Sequence, residues 1–171
     1  MAELVKPSEK YKGSFIEAIK DFQSEGRDMD FDVEDLNKNF EKLVVRYENN
    51  ERGIDLRDGY VPDTTLWLVE GDEFIGKVSI RHKLTEKLSR EGGHIGYQIR
   101  PTKRNMGYGT EILKQALPVA YELGISKVLV TCDDNNIGSA KIIEKNGGVL
   151  ENKMQCGKDL KRRYWIDNGK D

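Results

Sequence analysis

The strand-to-helix stretch from residue 95 to 117, IGYQIRPTKRNMGYGTEILKQAL, restricts the fold more than any other part of the chain. A strand pattern is followed by a basic turn with Gly107 and Gly109, and then by apolar residues at helical spacing. Such a junction directs backbone N–H groups and the positive end of a helix dipole toward one point. The sequence therefore predicts a phosphate site where this helix begins.

Two common phosphate-binding patterns do not fit this turn. The third glycine of the dinucleotide pattern G-x-G-x-x-G would fall at Ile112, which disfavours a nicotinamide-dependent enzyme. The triphosphate loop G-x-x-x-x-G-K-[ST] is absent from the sequence. The pattern that remains is R-x-x-G-x-G, from Arg104 to Gly109.

Composition excludes several other classes of protein. Charged residues make up 34% of the 171 residues, but the net charge is −2 and the pI about 5.8, which disfavours a general nucleic-acid binder. No apolar run approaches the roughly 18 residues of a membrane span, and the N-terminus lacks a secretory pattern. Cys132 and Cys156 are too few for a disulfide framework or a four-thiolate site, and no histidine–carboxylate spacing indicates a metal. We therefore expect a cytoplasmic protein with free thiols.

The periodicity of apolar residues predicts an order of strand, two helices, three strands, helix, strand, helix and two strands. A strand–helix–strand unit over residues 94–132 should cross over to a parallel strand. We expect one domain over residues 1–171, of the α/β (α+β) class. Its mixed, mostly antiparallel central sheet would be flanked by about four helices, with one parallel strand pair at the phosphate site.

Two motifs about thirty residues apart give the chain a family resemblance. Downstream of R-x-x-G-x-G stand Asn136-Ile137-Gly138-Ser139 and Glu144-Lys145-Asn146-Gly147-Gly148. Over roughly residues 93–150 the chain resembles the GNAT superfamily of acetyl-CoA-dependent N-acetyltransferases. That family has the pyrophosphate motif Q/R-x-x-G-x-G/A before a helix, and a second helix that starts with Asn and ends E-K-x-G-F or similar. The resemblance implies acetyl-CoA as cosubstrate, no metal, and direct attack on the thioester by a primary amine of a small molecule or peptide.

The resemblance also implies a cofactor site. Glycines let backbone amides approach a pyrophosphate, and Arg100, Lys103 and Arg104 add positive charge. A backbone N–H near Ile99 or Arg100 would bind the thioester oxygen, and the pantetheine arm would lie between two splayed strands. Asn136 and Ser139 would contact the arm, although both also suit helix capping. The candidate cofactor-binding residues are Ile99, Arg100, Arg104, Asn105, Met106, Gly107, Tyr108, Gly109, Thr110, Asn136 and Ser139.

The catalytic groups are less defined. His94 stands where the family often has a Glu, and its ordinary pKa near 6.5 suits a general base. An ordinary strand-edge histidine is the alternative, and Glu91 is the second candidate base. Ile143 occupies the place of the Tyr that many family members use as the acid. The open alternatives for the acid are solvent and the tyrosines Tyr97, Tyr108 and Tyr164.

The sequence thus predicts an N-acetyltransferase, and Ile143 favours one alternative, a non-catalytic acyl-CoA-binding or regulatory module on the same fold. The acceptor is open. Acidic loop residues such as Asp28 and Asp58 fit a cationic acceptor, but solvated loops have the same composition. A homodimer through the C-terminal strands is implied by the family resemblance alone.

Overall fold

The computed structural model describes residues 1–169; Lys170 and Asp171, the end of the expected domain, lie outside the described residues. The described chain contains seven strands, six α-helices and two short 3₁₀ helices, Glu9–Tyr11 and Pro101–Lys103. In chain order they are β1 Glu3–Val5, α1 Lys12–Ser24, α2 Val33–Lys38, α3 Phe40–Arg52, β2 Asp63–Glu70, β3 Glu73–Arg81, α4 Glu86–Arg90, β4 Ile95–Ile99, α5 Tyr108–Glu122, β5 Lys127–Asp133, α6 Ile137–Lys145, β6 Val149–Cys156 and β7 Asp159–Asp167.

The strands form two antiparallel sheets, in the orders β1-β2-β3-β4 and β5-β7-β6. The predicted α/β class with mostly antiparallel strands and flanking helices is confirmed. Within residues 1–169, however, no ladder pairs β4 with β5, so the expected parallel strand pair is absent as a hydrogen-bonded unit. The strands meet instead where the His94 N–H donates to the Leu129 carbonyl at 2.8 Å.

An aromatic cluster fills the space between the first sheet and helices α1 to α3. Phe15 of α1 is fully buried and stacks on Trp67 of β2, with ring centroids 4.5 Å apart and planes 13° apart. Phe40 and Phe74 contact the same pair edge-on, at centroid distances of 5.8 and 5.1 Å from Phe15. Offset and edge-on pairs add to the free energy of area burial, so this cluster fixes the N-terminal helices on the sheet.

Helix α5 packs on the opposite face of the first sheet and reaches the second. The alternation along a strand places Leu66, Leu68 and Val78 on this face, where they form one cluster with Ile112 and Leu113 of α5. Strand β5 adds Val128 and Val130 to the same core. Helix α5 therefore joins the two sheets. Within residues 1–169, no helix is both long and apolar enough to cross a lipid bilayer.

The helices differ from the prediction in two places. The predicted order has two helices before the second strand, whereas the structure has three, because the chain breaks between α2 and α3 at Asn39, whose φ of −131° and ψ of 39° leave the helical region. The predicted order has no helix between β3 and β4, where the structure has α4. The Thr85 side chain caps α4 by accepting the Leu88 N–H at 3.1 Å. A helix of five residues is too short for an apolar periodicity to predict it.

Candidate functional site

The start of α5 presents backbone donors that the described chain does not use. Among residues 1–169, no protein acceptor pairs with the backbone N–H groups of residues 105–110, and the first helical bond runs from Glu111 to Gly107 at 3.1 Å. Asn105 and Gly107 have φ values of 60° and 86°, in the left-handed region. Successive donors in such a turn form a concave anion site that the helix dipole reinforces. This turn therefore fits a phosphate group, as the sequence predicted.

The two glycines of the turn have different roles. Gly107 caps α5 in a left-handed conformation, and a Cβ there would meet nothing within 4 Å. A Cβ on Gly109 would lie 2.5 Å from Cδ1 of Ile142 in α6. Gly107 is thus required by backbone conformation and Gly109 by the close packing of α5 on α6. The sequence had assigned both to the approach of a pyrophosphate.

The basic side chains of the turn are already paired, which differs from their predicted role as phosphate ligands. Each contacts a carboxylate in α1, directly after α1 or in β3, so the cations attach the turn to the rest of the fold. The unpaired donors of the site are the backbone amides. The ion pairs are Arg100 Nε–Asp21 at 2.6 Å, Lys103 Nζ–Glu73 at 2.9 Å, and Arg104 to both oxygens of Glu25 at 2.9 Å.

Strand β4 has one edge free for a ligand. The Arg100 N–H donates to the Ile75 carbonyl at 2.8 Å, so the expectation that Arg100 offers its N–H to a thioester is wrong. Because N–H groups alternate between the two edges of a strand, those of Tyr97 and Ile99 point away from β3. The prediction of a backbone donor late in this strand is thereby narrowed to Ile99.

A side-chain pair connects β4 to the start of α6. The Tyr97 hydroxyl lies 2.8 Å from Oγ of Ser139. Burial raises the pKa of Tyr97 to about 12, so its phenol is protonated at neutral pH. Of the tyrosines that the sequence left open as acids, Tyr97 and not Tyr108 or Tyr164 lines the cleft described below. Tyr108 instead donates to Glu70, and Tyr164 donates to Glu144.

Asn136 combines the two roles considered for it. Its Oδ1 accepts the Ser139 N–H at 3.0 Å and so caps α6. Its amide nitrogen has no partner among residues 1–169, and the residue is exposed at the edge of the cleft. One side-chain atom therefore holds the helix while the other is available to a ligand.

His94 has a structural role in this geometry. The ring is 8% exposed, and its Nδ1 accepts the Leu129 N–H at 2.9 Å, which assigns the proton of the neutral ring to Nε2. Burial, followed by the Arg81 charge, lowers the pKa of His94. The neutral ring has no free lone pair in this tautomer. The geometry therefore does not support the predicted role of His94 as a base.

The sequence motif at residues 144–148 supports the turn at residues 104–110 through Asn146. The Asn146 amide donates to the Thr110 carbonyl of α5 at 3.2 Å and to the Ile142 carbonyl at 3.0 Å. Ile143 is fully buried in the core, so the position of the family tyrosine does not face the cleft here. The motif thus connects the end of α6 to the start of α5.

A cleft of about 550 Å³ lies between β4, β5 and the start of α6. Glu91, Tyr97, Asn136 and Ser139 line it, together with Cys132, whose thiol pKa is raised by burial. A second cavity, of about 410 Å³, lies beside the first and shares the wall residues Arg27, Arg81, Gly96 and Tyr97. No motif in the sequence marked Arg27 or Arg81. Among residues 1–169, no group of three or more His, Cys, Asp or Glu side chains is arranged to hold a metal ion.

Solved structures share this architecture. The microcin C7 self-immunity acetyltransferase MccE, in complex with acetyl-CoA and AMP, is 14% identical, with 97% of this chain and 92% of that chain covered and a TM-score of 0.68. RimL, the ribosomal L7/L12 alpha-N-protein acetyltransferase, in complex with coenzyme A, is 16% identical, with 98% and 96% covered and a TM-score of 0.69. The Salmonella typhimurium protein yncA, solved with its cofactor acetyl-CoA, is 11% identical, with 99% and 95% covered and a TM-score of 0.66.

At these identities the neighbours show the fold alone, and the search of curated proteins found no match. A family model described as an acetyltransferase (GNAT) domain matches residues 17–149, which include the phosphate turn and both motif helices. The chain therefore belongs to the GNAT acetyltransferase family.

Proposed function

We propose that this protein is an N-acetyltransferase that moves an acetyl group from acetyl-CoA to a primary amine by direct attack. The observation that carries the proposal is the row of unpaired N–H groups at residues 105–110, at the start of α5. The neighbour MccE is an acetyltransferase solved with acetyl-CoA and AMP, and yncA was also solved with acetyl-CoA, which supports the same ligand here. The amides of 105–110 would bind the pyrophosphate, and the free amide nitrogen of Asn136 would bind the pantetheine arm.

Acetyl-CoA supplies an activated thioester. Two groups of β4 would assist its cleavage, one at the carbonyl oxygen and one at the departing sulfur. The Ile99 N–H, on the free edge of β4, would donate to the thioester oxygen as negative charge develops there. A positioned donor of this kind typically changes the rate by about 10²–10³-fold. The phenol of Tyr97, protonated because of its raised pKa, would donate to the departing thiolate, with Ser139 holding its orientation.

Proton removal from the attacking amine requires a base that is free to accept. Glu91 lines the cleft, and among residues 1–169 its carboxylate has no hydrogen bond or ion pair. We assign the base to Glu91, because His94 uses its Nδ1 for Leu129. An amine with an ordinary pKa of about 8 to 10 needs such help near neutral pH.

The experiment compares two glycines that flank the same helix. Gly107 and Gly124 have φ values of 86° and 89°, and a Cβ at either would meet nothing within 4 Å. Alanine at either site should strain the fold by a similar amount, about 1–2 kcal/mol. Only Gly107→Ala should weaken CoA binding, measured by calorimetry, and slow thiol release from acetyl-CoA with a panel of amines. Equal CoA affinity in both variants would contradict the proposed site.

One observation favours the alternative, a non-catalytic acyl-CoA-binding module. Ile143, in the place of the family's acid, is buried in the core. The same panel decides between the two functions. If CoA binds but no amine releases thiol above the rate of hydrolysis, the binding module replaces the enzyme.

A further inference from the structure

Arg81, the last residue of β3, carries a positive charge that no carboxylate neutralises at contact distance. Its Nη1 donates to the carbonyls of Gly92 and Gly93, at 2.9 and 3.1 Å. Among residues 1–169, no acceptor contacts its Nη2 or Nε, and no acidic group lies within ion-pair distance. Three of the five N–H donors of this guanidinium are therefore unused.

The nearest compensating charge is engaged elsewhere. Asp63 lies opposite Arg81 in the register of β2 and β3. Its Oδ2 accepts from the hydroxyls of Ser79 and Thr65, at 2.6 and 3.4 Å. Burial lowers the pKa of Arg81, and Asp63 only partly offsets that effect. A partly desolvated cation in this state favours an anion as its ligand.

The residue beside this guanidinium is a glycine. A Cβ on Gly96 of β4 would lie 3.4 Å from Nη2 of Arg81. Because Gly96 has no side chain, Nη2 lies open at the strand surface, where both cavities meet. The unpaired donors of Arg81 are thus accessible from the cleft.

A second unpaired arginine borders the same two cavities. Arg27 follows α1 and is exposed, with no ion pair among residues 1–169. The loop that carries it is well anchored: the Arg27 N–H donates to Phe22 at 3.0 Å, and the Gln23 amide donates to the carbonyls of Asp28 and Phe31. Asp28 in this loop has a φ of 50°. The fold thus holds Arg27 in place over the cavities.

The other charges of the second cavity are matched. Lys77 contacts both carboxylate oxygens of Asp28 at 3.1 Å. Asp28 was one of the acidic residues that pointed to a cationic acceptor, and this ion pair removes it from that argument. The unpaired charges that remain around the second cavity, within the described residues, are the guanidinium groups of Arg27 and Arg81.

Arg81 is remote from the turn at residues 104–110. The Arg81 N–H donates to the His94 carbonyl at 2.7 Å, which places Arg81 at the first end of β4, whereas residues 105–110 follow its last end. The five residues of β4 span about 16 Å at roughly 3.3 Å each. The phosphates of a cofactor bound at α5 would therefore leave Arg81 unpaired.

We propose that Arg27 and Arg81 form an anion site for the acceptor, which is a primary amine that also carries a carboxylate. This inference rests on the proposed acetyl transfer. An arginine binds a carboxylate through parallel hydrogen bonds, so the pair would orient the acceptor with its amine toward the free edge of β4. Two sources of the carboxylate fit: the α-carboxylate of a free amino acid, or the side chain of a peptide with an acidic first residue.

The experiment uses matched acceptors. Amino acids are compared with their α-amides, and peptides beginning with Asp or Glu are compared with those beginning with Asn or Gln. We expect kcat/KM to be about tenfold or more higher for the acid of at least one pair. The pair that shows the difference identifies the source of the carboxylate. Equal values for acid and amide in both series would overturn the proposal.

Substitutions of the two arginines then test whether they cause the preference for the acid over the amide. Arg27→Gln should reduce the acid-to-amide ratio toward one without disturbing the fold, because the Arg27 side chain makes no hydrogen bond, ion pair or ring contact among residues 1–169. Arg81→Gln should do the same, and Arg81→Lys should retain part of the preference. The control is Arg52→Gln, an exposed arginine at the end of α3 that lines neither cavity. A ratio that is unchanged in Arg27→Gln and Arg81→Gln would also overturn the proposal.

The outcome is separable from that of the proposed function. If CoA binds but no amine is acetylated, the enzyme proposal fails, and the anion site is measured by calorimetry with the same acids and amides on the CoA-bound protein. Tighter binding of the acid that is lost in Arg27→Gln supports the anion site. Equal binding of acid and amide contradicts it.

Discussion

His94 satisfies both backbone groups of Leu129: its Nδ1 accepts the Leu129 N–H at 2.9 Å, and its own N–H donates to the Leu129 carbonyl at 2.8 Å. These two bonds join the first sheet to the second where no ladder does. The His94 ring also packs edge-on against Trp165 of β7, with centroids 6.5 Å apart. His94 therefore helps to hold the start of β4 against β5, together with the Gly92 N–H, which donates to the Thr131 hydroxyl at 2.9 Å.

Replacing this ring tests its role in stability. His94→Leu leaves the buried Leu129 N–H without an acceptor and should lower the free energy of unfolding by about 1–3 kcal/mol. His94→Asn places an amide oxygen near the position of Nδ1 and should recover much of that loss, measured by urea unfolding. If His94→Asn is stable but loses acetyl transfer by a hundredfold or more, the base role would have to be restored to His94.

The lowered pKa of His94 gives stability a defined pH dependence. The unfolded ring titrates near 6.5, whereas burial and Arg81 hold the folded pKa below that value. Below about pH 6.5 the unfolded state binds more protons, so the free energy of unfolding should fall as pH falls toward the folded pKa. The decline between about pH 7.5 and 5.5 should be shallower in His94→Asn. Parallel curves would contradict this assignment.

Tyr97→Phe should lower kcat and leave CoA affinity nearly unchanged. The substitution removes the protonated phenol and the Ser139 contact but keeps the ring. A lost general acid typically costs about 10²–10⁴-fold. Ser139→Ala should have a smaller effect on kcat, because it removes only the partner that orients the phenol. A larger loss in Ser139→Ala would make Ser139 the donor instead.

Glu91→Gln should slow transfer near neutral pH, and the loss should shrink as the pH approaches the pKa of the amine, because the amine then loses its proton without help. The amide keeps the size of the side chain but cannot accept a proton at neutral pH. The control is Glu122→Gln, an exposed glutamate at the end of α5 and away from the cleft. If both variants retain wild-type pH profiles, proton removal passes directly to solvent.

The local parts of the site were predictable from sequence, and the long-range parts were not. Strand β4, the left-handed Gly107 and the cap of α6 by Asn136 follow from alternation, glycine placement and capping preference. The pairing of Arg104 with Glu25 joins residues 79 apart, and that of His94 with Leu129 joins residues 35 apart. No periodicity reports such distant contacts, so the turn cations were assigned to the cofactor and His94 to proton removal.

The position of α5 connects ligand binding at residues 105–110 to the order in which the chain folds during synthesis. Strands β1 to β3 precede α5 in the chain, and the face that carries Leu66, Leu68 and Val78 has no cover until α5 packs on it. During synthesis this apolar face would be open to aggregation until the helix that starts at Tyr108 has emerged and docked. A ligand bound at residues 105–110 holds the first turn of that same helix. Occupancy of the cofactor site should therefore protect the protein from aggregation as well as prepare it for turnover.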